Sequence, residues 1–141
     1  MSAMNLTQHP ATPEQVSAGV FDLPAGAVNN LKRLLTFDAL PDAEEVQVRA
    51  QDIAALAALL ASGEDREGEG EPAPSDLGQF ALYAMIGGAP YLMAPLEVAL
   101  RNHGIEPVYA FSVRESAEQA QPDGTVRKVA VFRHAGFVPA V

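Results

Sequence analysis

Two short segments carry groups that could do chemistry. Gln8 and His9 form the C-terminal end of a β-favouring segment, and Gly87-Gly88 ends an apolar run that begins at Ala81. Histidine can act as a general acid or base near neutral pH, and a glycine pair leaves backbone N–H groups open to an anion. We therefore expect a ligand site at the ends of two strands. A hydrogen-bonded structural histidine and a ligand-free strand-to-helix turn are the alternatives.

A third candidate segment lies near the C-terminus. Ser112 and Arg114 stand on one segment of strand composition, and Arg133 and His134 end the next one. The intervening Asp123-Gly124 is a strong turn signal, so the two segments are predicted to form a β-hairpin. If these two residues form the turn, Arg114 faces Arg133, and an acid or a bound anion must relieve the repulsion. A longer loop would change this register.

The elements that must position these residues alternate between strand and helix. Strands beginning at Asn5, Phe80 and Val108 are expected to run parallel, and a second short strand is expected over Val20 to Pro24. The last hairpin strand should lie antiparallel at an edge. This order predicts an α/β fold, a compact Rossmann-like, mainly parallel sheet with a C-terminal β-hairpin. The first strand is placed at residues 5–9.

Right-handed crossovers in such a sheet would bring three strand ends to one rim, namely His9, Gly87-Gly88 and Ser112 to Arg114. Thr12 is predicted to cap a short helix, with Pro13 and Gln15 at favourable positions after it. A helix N-terminus should therefore lie beside His9.

Residues 1–141 are expected to form one domain, interrupted by an acidic flexible linker at residues 62–76. This segment holds six acidic residues and one basic residue, together with three glycines and two prolines. It has too few apolar residues to bury a core of its own. A role as an acidic interaction segment is the alternative to a solvated loop.

Composition excludes several function classes. The chain contains no cysteine, which excludes disulfides and thiolate metal sites, and its three histidines are far apart, so neither a metal site nor a cofactor is expected. The formal net charge of −9 argues against binding to duplex nucleic acid. No apolar run reaches the roughly 20 residues that span a bilayer. We expect a cytoplasmic protein that does not bind membranes.

The opening segment, Asn5-Leu6-Thr7-Gln8-His9-Pro10-Ala11-Thr12-Pro13-Glu14-Gln15, resembles the start of small CRISPR-associated ring nucleases of type III systems. The order of elements is similar to the CRISPR-associated Rossmann fold, whose dimers bind cyclic oligoadenylates in antiviral defence. Segments 111–116 and 132–137 also resemble parts of unannotated bacterial and mobile-element proteins.

The resemblance implies a homodimer that binds a cyclic oligoadenylate and acts as a metal-independent phosphodiesterase, in which a ribose 2′-hydroxyl attacks the adjacent phosphate. His9 would be the acid or base, and Ser112 and Arg114 would complete the catalytic set. The expected ligand-binding residues are Gln8, Gly87, Gly88, Arg133 and His134. A non-catalytic nucleotide sensor or sponge, and a protein-interaction module that uses the acidic loop and the hairpin edge, are the alternatives.

Overall fold

The computed structural model describes residues 1–63 and 82–141. The elements are β1 (Ala3–Leu6), α1 (Pro13–Ser17), β2 (Val20–Phe21), α2 (Ala25–Leu35), α3 (Ala43–Ser62), β3 (Leu82–Ile86), α4 (Pro90–Asn102), β4 (Ile105–Ala120) and β5 (Val126–Pro139). Most of the predicted acidic linker lies outside the described residues. Ser62 still belongs to α3, and Gly63 caps this helix with a φ of 74°.

The five strands form one mixed sheet in the order β2-β1-β3-β4-β5. Strands β1 to β4 run parallel to one another, and β5 pairs antiparallel with β4. The prediction of an α/β fold with a mainly parallel sheet and a C-terminal hairpin is thereby confirmed. The strand order reverses at β1, because the chain passes to one side of it to form β2 and to the other side to form β3.

Apolar residues cover both faces of this sheet unequally. The larger cluster holds Leu6 and Ile86 from the sheet together with side chains of α2, α3 and α4, such as Ile53 and Leu96. The opposite face has a smaller cluster of buried residues, Ala3, Val20, Met85 and Val108, with Ala11 and Phe137 packed against it. Strands that are buried on both faces explain the apolar run without alternation at β3.

The first strand is shorter than predicted, and it begins earlier. β1 covers Ala3–Leu6 and not residues 5–9, and β2 ends at Phe21 and not at Pro24. The cause at β1 is Asn5, whose side chain accepts the backbone N–H of Thr7 at 3.0 Å and donates to the carbonyl of His9 at 2.8 Å. These bonds turn the chain out of the sheet after Leu6.

The predicted register of the hairpin is wrong. Arg114 pairs with Phe132, whereas Arg133 pairs with Val113 and lies on the other face of the hairpin. The loop spans residues 121–125, because the Asp123 carboxylate accepts both the backbone N–H and the hydroxyl of Thr125. The two arginines are therefore not opposed, and no bound anion is needed to separate them.

The helix starts follow their sequence signals. Thr12 caps α1, and both reciprocal bonds with Gln15 are present, as predicted. Asp42 caps α3 through the backbone N–H of Glu45 at 2.8 Å. α4 begins at Pro90 and continues through Pro95. Within residues 1–63 and 82–141, no helix is long and apolar enough to cross a membrane.

Candidate functional site

A cleft of about 490 Å³ opens where the strand order reverses, at the carboxyl ends of β1 and β3 and beside Tyr109 and Ala110 of β4. Open α/β sheets commonly bind ligands at such a reversal, where loops leave neighbouring strands on opposite faces. The polar side chains that line the cleft are Thr7, Gln8, His9, Thr12 and Gln15. Its remaining walls come from Pro10, Met85, Ile86, Gly87, Gly88, Tyr109 and Ala110.

The cleft brings together two of the three segments that the sequence singled out. Gln8 and His9 reach it from the loop after β1, and Gly87-Gly88 reaches it from the loop after β3. Ser112 and Arg114 do not line it, because β4 continues as a long hairpin strand past Ala110. The expected rim is therefore formed by two strand ends together with the side of β4.

Arg133 and His134 lie at a junction between the hairpin and α1. The guanidinium of Arg133 lies 3.6 Å from a carboxylate oxygen of Glu14 and 3.5 Å from one of Glu115. Glu14 also accepts the backbone N–H of His134 at 2.9 Å. The His134 ring meets Phe137 edge-on at 4.8 Å, and its two buried nitrogens form no hydrogen bond with any residue that the structure describes. These residues join two parts of the fold and do not line the cleft.

Asn5 fixes the loop that presents Gln8 and His9. Its side chain is only 4% exposed. The Nδ2 group donates to the carbonyl of His9 at 2.8 Å and to Asp22 Oδ1 at 2.7 Å, and Oδ1 accepts from Thr7 N and Oγ1 at 3.0 and 2.7 Å. Asp22 also accepts the backbone N–H of Ala11 at 3.0 Å. The loop is thus tied to both β1 and β2.

The glycine pair brings the backbone of the next loop close to this one. Gly88 has a φ of 145°, which side-chain-bearing residues rarely adopt, and a Cβ at Gly87 would lie 3.6 Å from the Thr7 methyl group. Ala89, the residue before α4, supplies no side-chain cap. Within the described residues, no side chain caps the start of α4. Pro90, its first residue, has no N–H, and the Leu92 N–H donates to the Ala89 carbonyl at 3.0 Å, so of these first three residues only Tyr91 keeps an N–H for a ligand.

Tyr109 is a cleft residue that the sequence analysis missed. Its hydroxyl donates to Glu97 Oε2 of α4 at 3.0 Å. Burial, followed by the hydrogen bond to the Glu97 carboxylate, raises the pKa of Tyr109 to about 12. This bond ties β4 to α4 at the cleft wall. The one signal for the contact between Tyr109 and Glu97 in the sequence is that a predicted helix is followed closely by a predicted strand.

A second, smaller cleft of about 250 Å³ lies on the other side of the β1 loop. It shares Thr7, Gln8, His9 and Pro10 with the first cleft, and Lys32 of α2 contributes a cation to its lining. The loop after β1 thus separates two cavities. Among residues 1–63 and 82–141, no group of three metal-ligating side chains is present.

Comparison of the chain with curated proteins and with solved structures finds no match. One family model matches residues 1–138, nearly the whole chain. The protein therefore belongs to the uncharacterized protein MJ1673 family.

Proposed function

We propose that the cleft between β1 and β3 binds a nucleotide through its phosphate and base, within a Rossmann-like architecture. The observation that carries the proposal is the meeting of Gln8 and His9 with Gly87-Gly88 at the reversal of strand order. Cavities of about 300–1,000 Å³ are typical of small-molecule sites, and this cleft falls in that range.

The phosphate would lie at the glycine pair. Backbone N–H groups at the start of a helix attract an anion, because they point outward and the helix dipole is positive there. Gly87 and Gly88 carry no side chains to block this approach, and α4 is 13 residues long. Its donors would be the N–H groups of the glycine pair, Ala89 and Tyr91, because Pro90 has no N–H and the Leu92 N–H already bonds to the Ala89 carbonyl.

The base and ribose would lie against the loop after β1 and the start of α1. Gln8 and Gln15 offer amides that can both donate and accept, and Thr12 offers a hydroxyl group. The described residues that line this cleft include no arginine or lysine. A phosphodiester, which carries one charge for each nucleotide, suits this lining better than a triphosphate. The cyclic oligoadenylate suggested by the opening segment belongs to this class.

Cleavage of that ligand is the second candidate function, and the position of His9 in the cleft favours it. An imidazole beside a bound phosphodiester can take the proton of a ribose 2′-hydroxyl or donate one to the leaving oxygen. Neither Ser112 nor Arg114 lines the cleft, so His9 and the backbone amides would have to support the reaction without them. A sensor that binds without turnover uses the same contacts.

The test is titration of the protein with cyclic tetra-adenylate, cyclic hexa-adenylate and linear oligoadenylates, with calorimetry for binding and mass spectrometry for products. Gln8→Ala should weaken binding, whereas Gln47→Ala, on the exposed surface of α3, should not. His9→Ala should lower any cleavage by roughly 10²–10⁴-fold with binding retained. His103→Ala, at the far end of α4, is its matched control. Absence of binding to every ligand would refute the proposal.

A further inference from the structure

Within residues 1–63 and 82–141, no strand pairs with one edge of β4 over most of its length. β3 pairs with β4 only as far as Val108, while β5 accompanies β4 on the other side up to Ala120. We call residues 112–120 of β4 the free edge, and within the described parts of the chain no strand pairs with it. Long unpaired edges invite pairing with another chain.

The hydrogen bonds of the hairpin show which backbone groups point out of the free edge. The carbonyl of Pro107 accepts from Ala140 and the N–H of Gln121 donates to Thr125, so odd-numbered residues of β4 bond to the β5 side. Because these directions alternate along an antiparallel strand, the N–H and C=O groups of even-numbered residues point outward. His134 shows the same alternation: it pairs with the even-numbered Ser112, and its N–H donates outward to Glu14 and not to β4.

We propose that the free edge pairs with the same edge of a second copy of this chain, antiparallel across a twofold axis at Ser116. Arg114 and Glu118 lie two residues to either side of the axis and on the same face of the strand. The pairing therefore sets Arg114 of each copy opposite Glu118 of the partner subunit. Two opposite-charge pairs and a ladder of hydrogen bonds join the arms.

The charges select this register among the neighbouring ones. An axis at Arg114, at Glu118 or at Glu115 sets a charged residue opposite its own copy, which destabilises a sheet. An axis at Ala117 leaves Arg114 and Glu118 opposite neutral residues. Only the axis at Ser116, among those from 114 to 118, makes both ion pairs.

The outer edge of β5 does not offer the same pairing. β5 carries Arg127, Lys128 and Arg133 and no acidic residue, so no twofold register can form an ion pair along it. Glu14 also occupies the outward N–H of His134. The edge of β4, with charges of both signs, is the self-complementary one.

The hairpin extends the charge pattern across the joined sheet. Glu118 lies opposite Lys128 within its own hairpin, and Arg114 lies opposite Phe132, whose side chain is 69% exposed. Across the dimer, each Glu118 would therefore stand between two cations, Lys128 on one side and Arg114 of the partner subunit on the other. This alternation lowers the repulsion that the basic β5 strands would otherwise create.

Site-specific crosslinking tests the register, because the chain contains no cysteine. Residues in a hydrogen-bonded antiparallel pair have Cα atoms about 5.5 Å apart, which is within disulfide range. Ser116→Cys should therefore form a covalent dimer under mild oxidation. Ala130→Cys, directly opposite Ser116 on β5, is the matched control. It should form a covalent dimer about tenfold more slowly, because in the proposed dimer the two introduced cysteines lie on opposite outer edges of the joined sheet.

Charge reversal tests the ion pairs. Arg114→Glu should weaken the dimer at least about fivefold in sedimentation analysis, and Glu118→Arg should do the same. The double variant, which exchanges the two charges, should restore the affinity. Equal crosslinking of the two cysteine variants, or a double variant no tighter than the single ones, would overturn the proposal. The proposal would also be overturned if the protein stays a 14.9 kDa monomer at high concentration and retards a DNA duplex in a gel. That result would indicate that the hairpin binds nucleic acid.

Discussion

Replacing Asn5 should show how the loop after β1 is held. Asn5→Ala removes four hydrogen bonds, one of them to the Asp22 carboxylate. At about 1 kcal/mol for each bond, the free energy of unfolding should fall by about 3–4 kcal/mol. For a domain of this size, the melting temperature should fall by about 10 °C. Asn29→Ala, on the exposed side of α2, is the control and should change little.

Asn5→Asp provides a sharper test, since it keeps the shape of the side chain. The substitution replaces the donor that lies 2.7 Å from Asp22 Oδ1 with a second carboxyl oxygen. Repulsion between the carboxylates should raise the pKa of the introduced group above its value in the unfolded chain. A raised pKa of an acid means that stability is lost as the pH rises, so the variant should be weaker at pH 7 than at pH 4 relative to the wild type.

The assay is urea unfolding of the wild type and the two variants at pH 4 and pH 7, with hydrogen exchange of residues 7–10 as a local probe. Faster exchange at these residues in Asn5→Ala would show that the loop has loosened. If Asn5→Ala costs less than about 1 kcal/mol, the scale of one hydrogen bond, the network does not hold the loop. A deficit of Asn5→Asp that does not change with pH would refute the contact with Asp22.

Three further predictions concern stability. Because the pKa of Tyr109 is raised to about 12, the stability of the wild type should fall as the pH rises from about 10 through 12. Tyr109→Phe, which also loses the hydrogen bond to Glu97, should lack this part of the pH dependence when unfolding is measured at alkaline pH. Gly19 has a φ of 105° and an added Cβ would clash with the Met1 carbonyl, so Gly19→Ala should cost more than about 2 kcal/mol in urea unfolding. Gly26→Ala, in open space within α2, should instead stabilise the protein by about 0.5–1 kcal/mol. A loss of stability in this variant would contradict the open space around Gly26.

Features set by local chemistry were predictable from the sequence. Thr12 and Gln15 form the expected capping box, because that motif depends only on residues three apart. Gly87-Gly88 lies at the end of β3, as the apolar run before it indicated. The parallel strands and the hairpin followed from the order of the elements, which short right-handed connections restrict to few arrangements.

Features set by single side chains were not predictable. Asn5 shortens β1 through bonds to backbone groups two and four residues away, and the strand pattern carried no sign of them. Asp123 enlarges the hairpin turn and thereby moves Arg114 away from Arg133. The contact between Tyr109 and Glu97 joins residues 12 apart on different elements. In each case, the result depended on how side chains and backbone groups are placed in the folded protein.

The central claim is that the cleft at the reversal of strand order is a nucleotide site. It is tested most directly by hydrogen exchange of the protein with and without saturating cyclic tetra-adenylate, and then with cyclic hexa-adenylate. We predict slower exchange in residues 7–12 and 87–91, with no change at the Arg133 and His134 junction. Slower exchange confined to that junction, or no difference with either nucleotide, would contradict the claim.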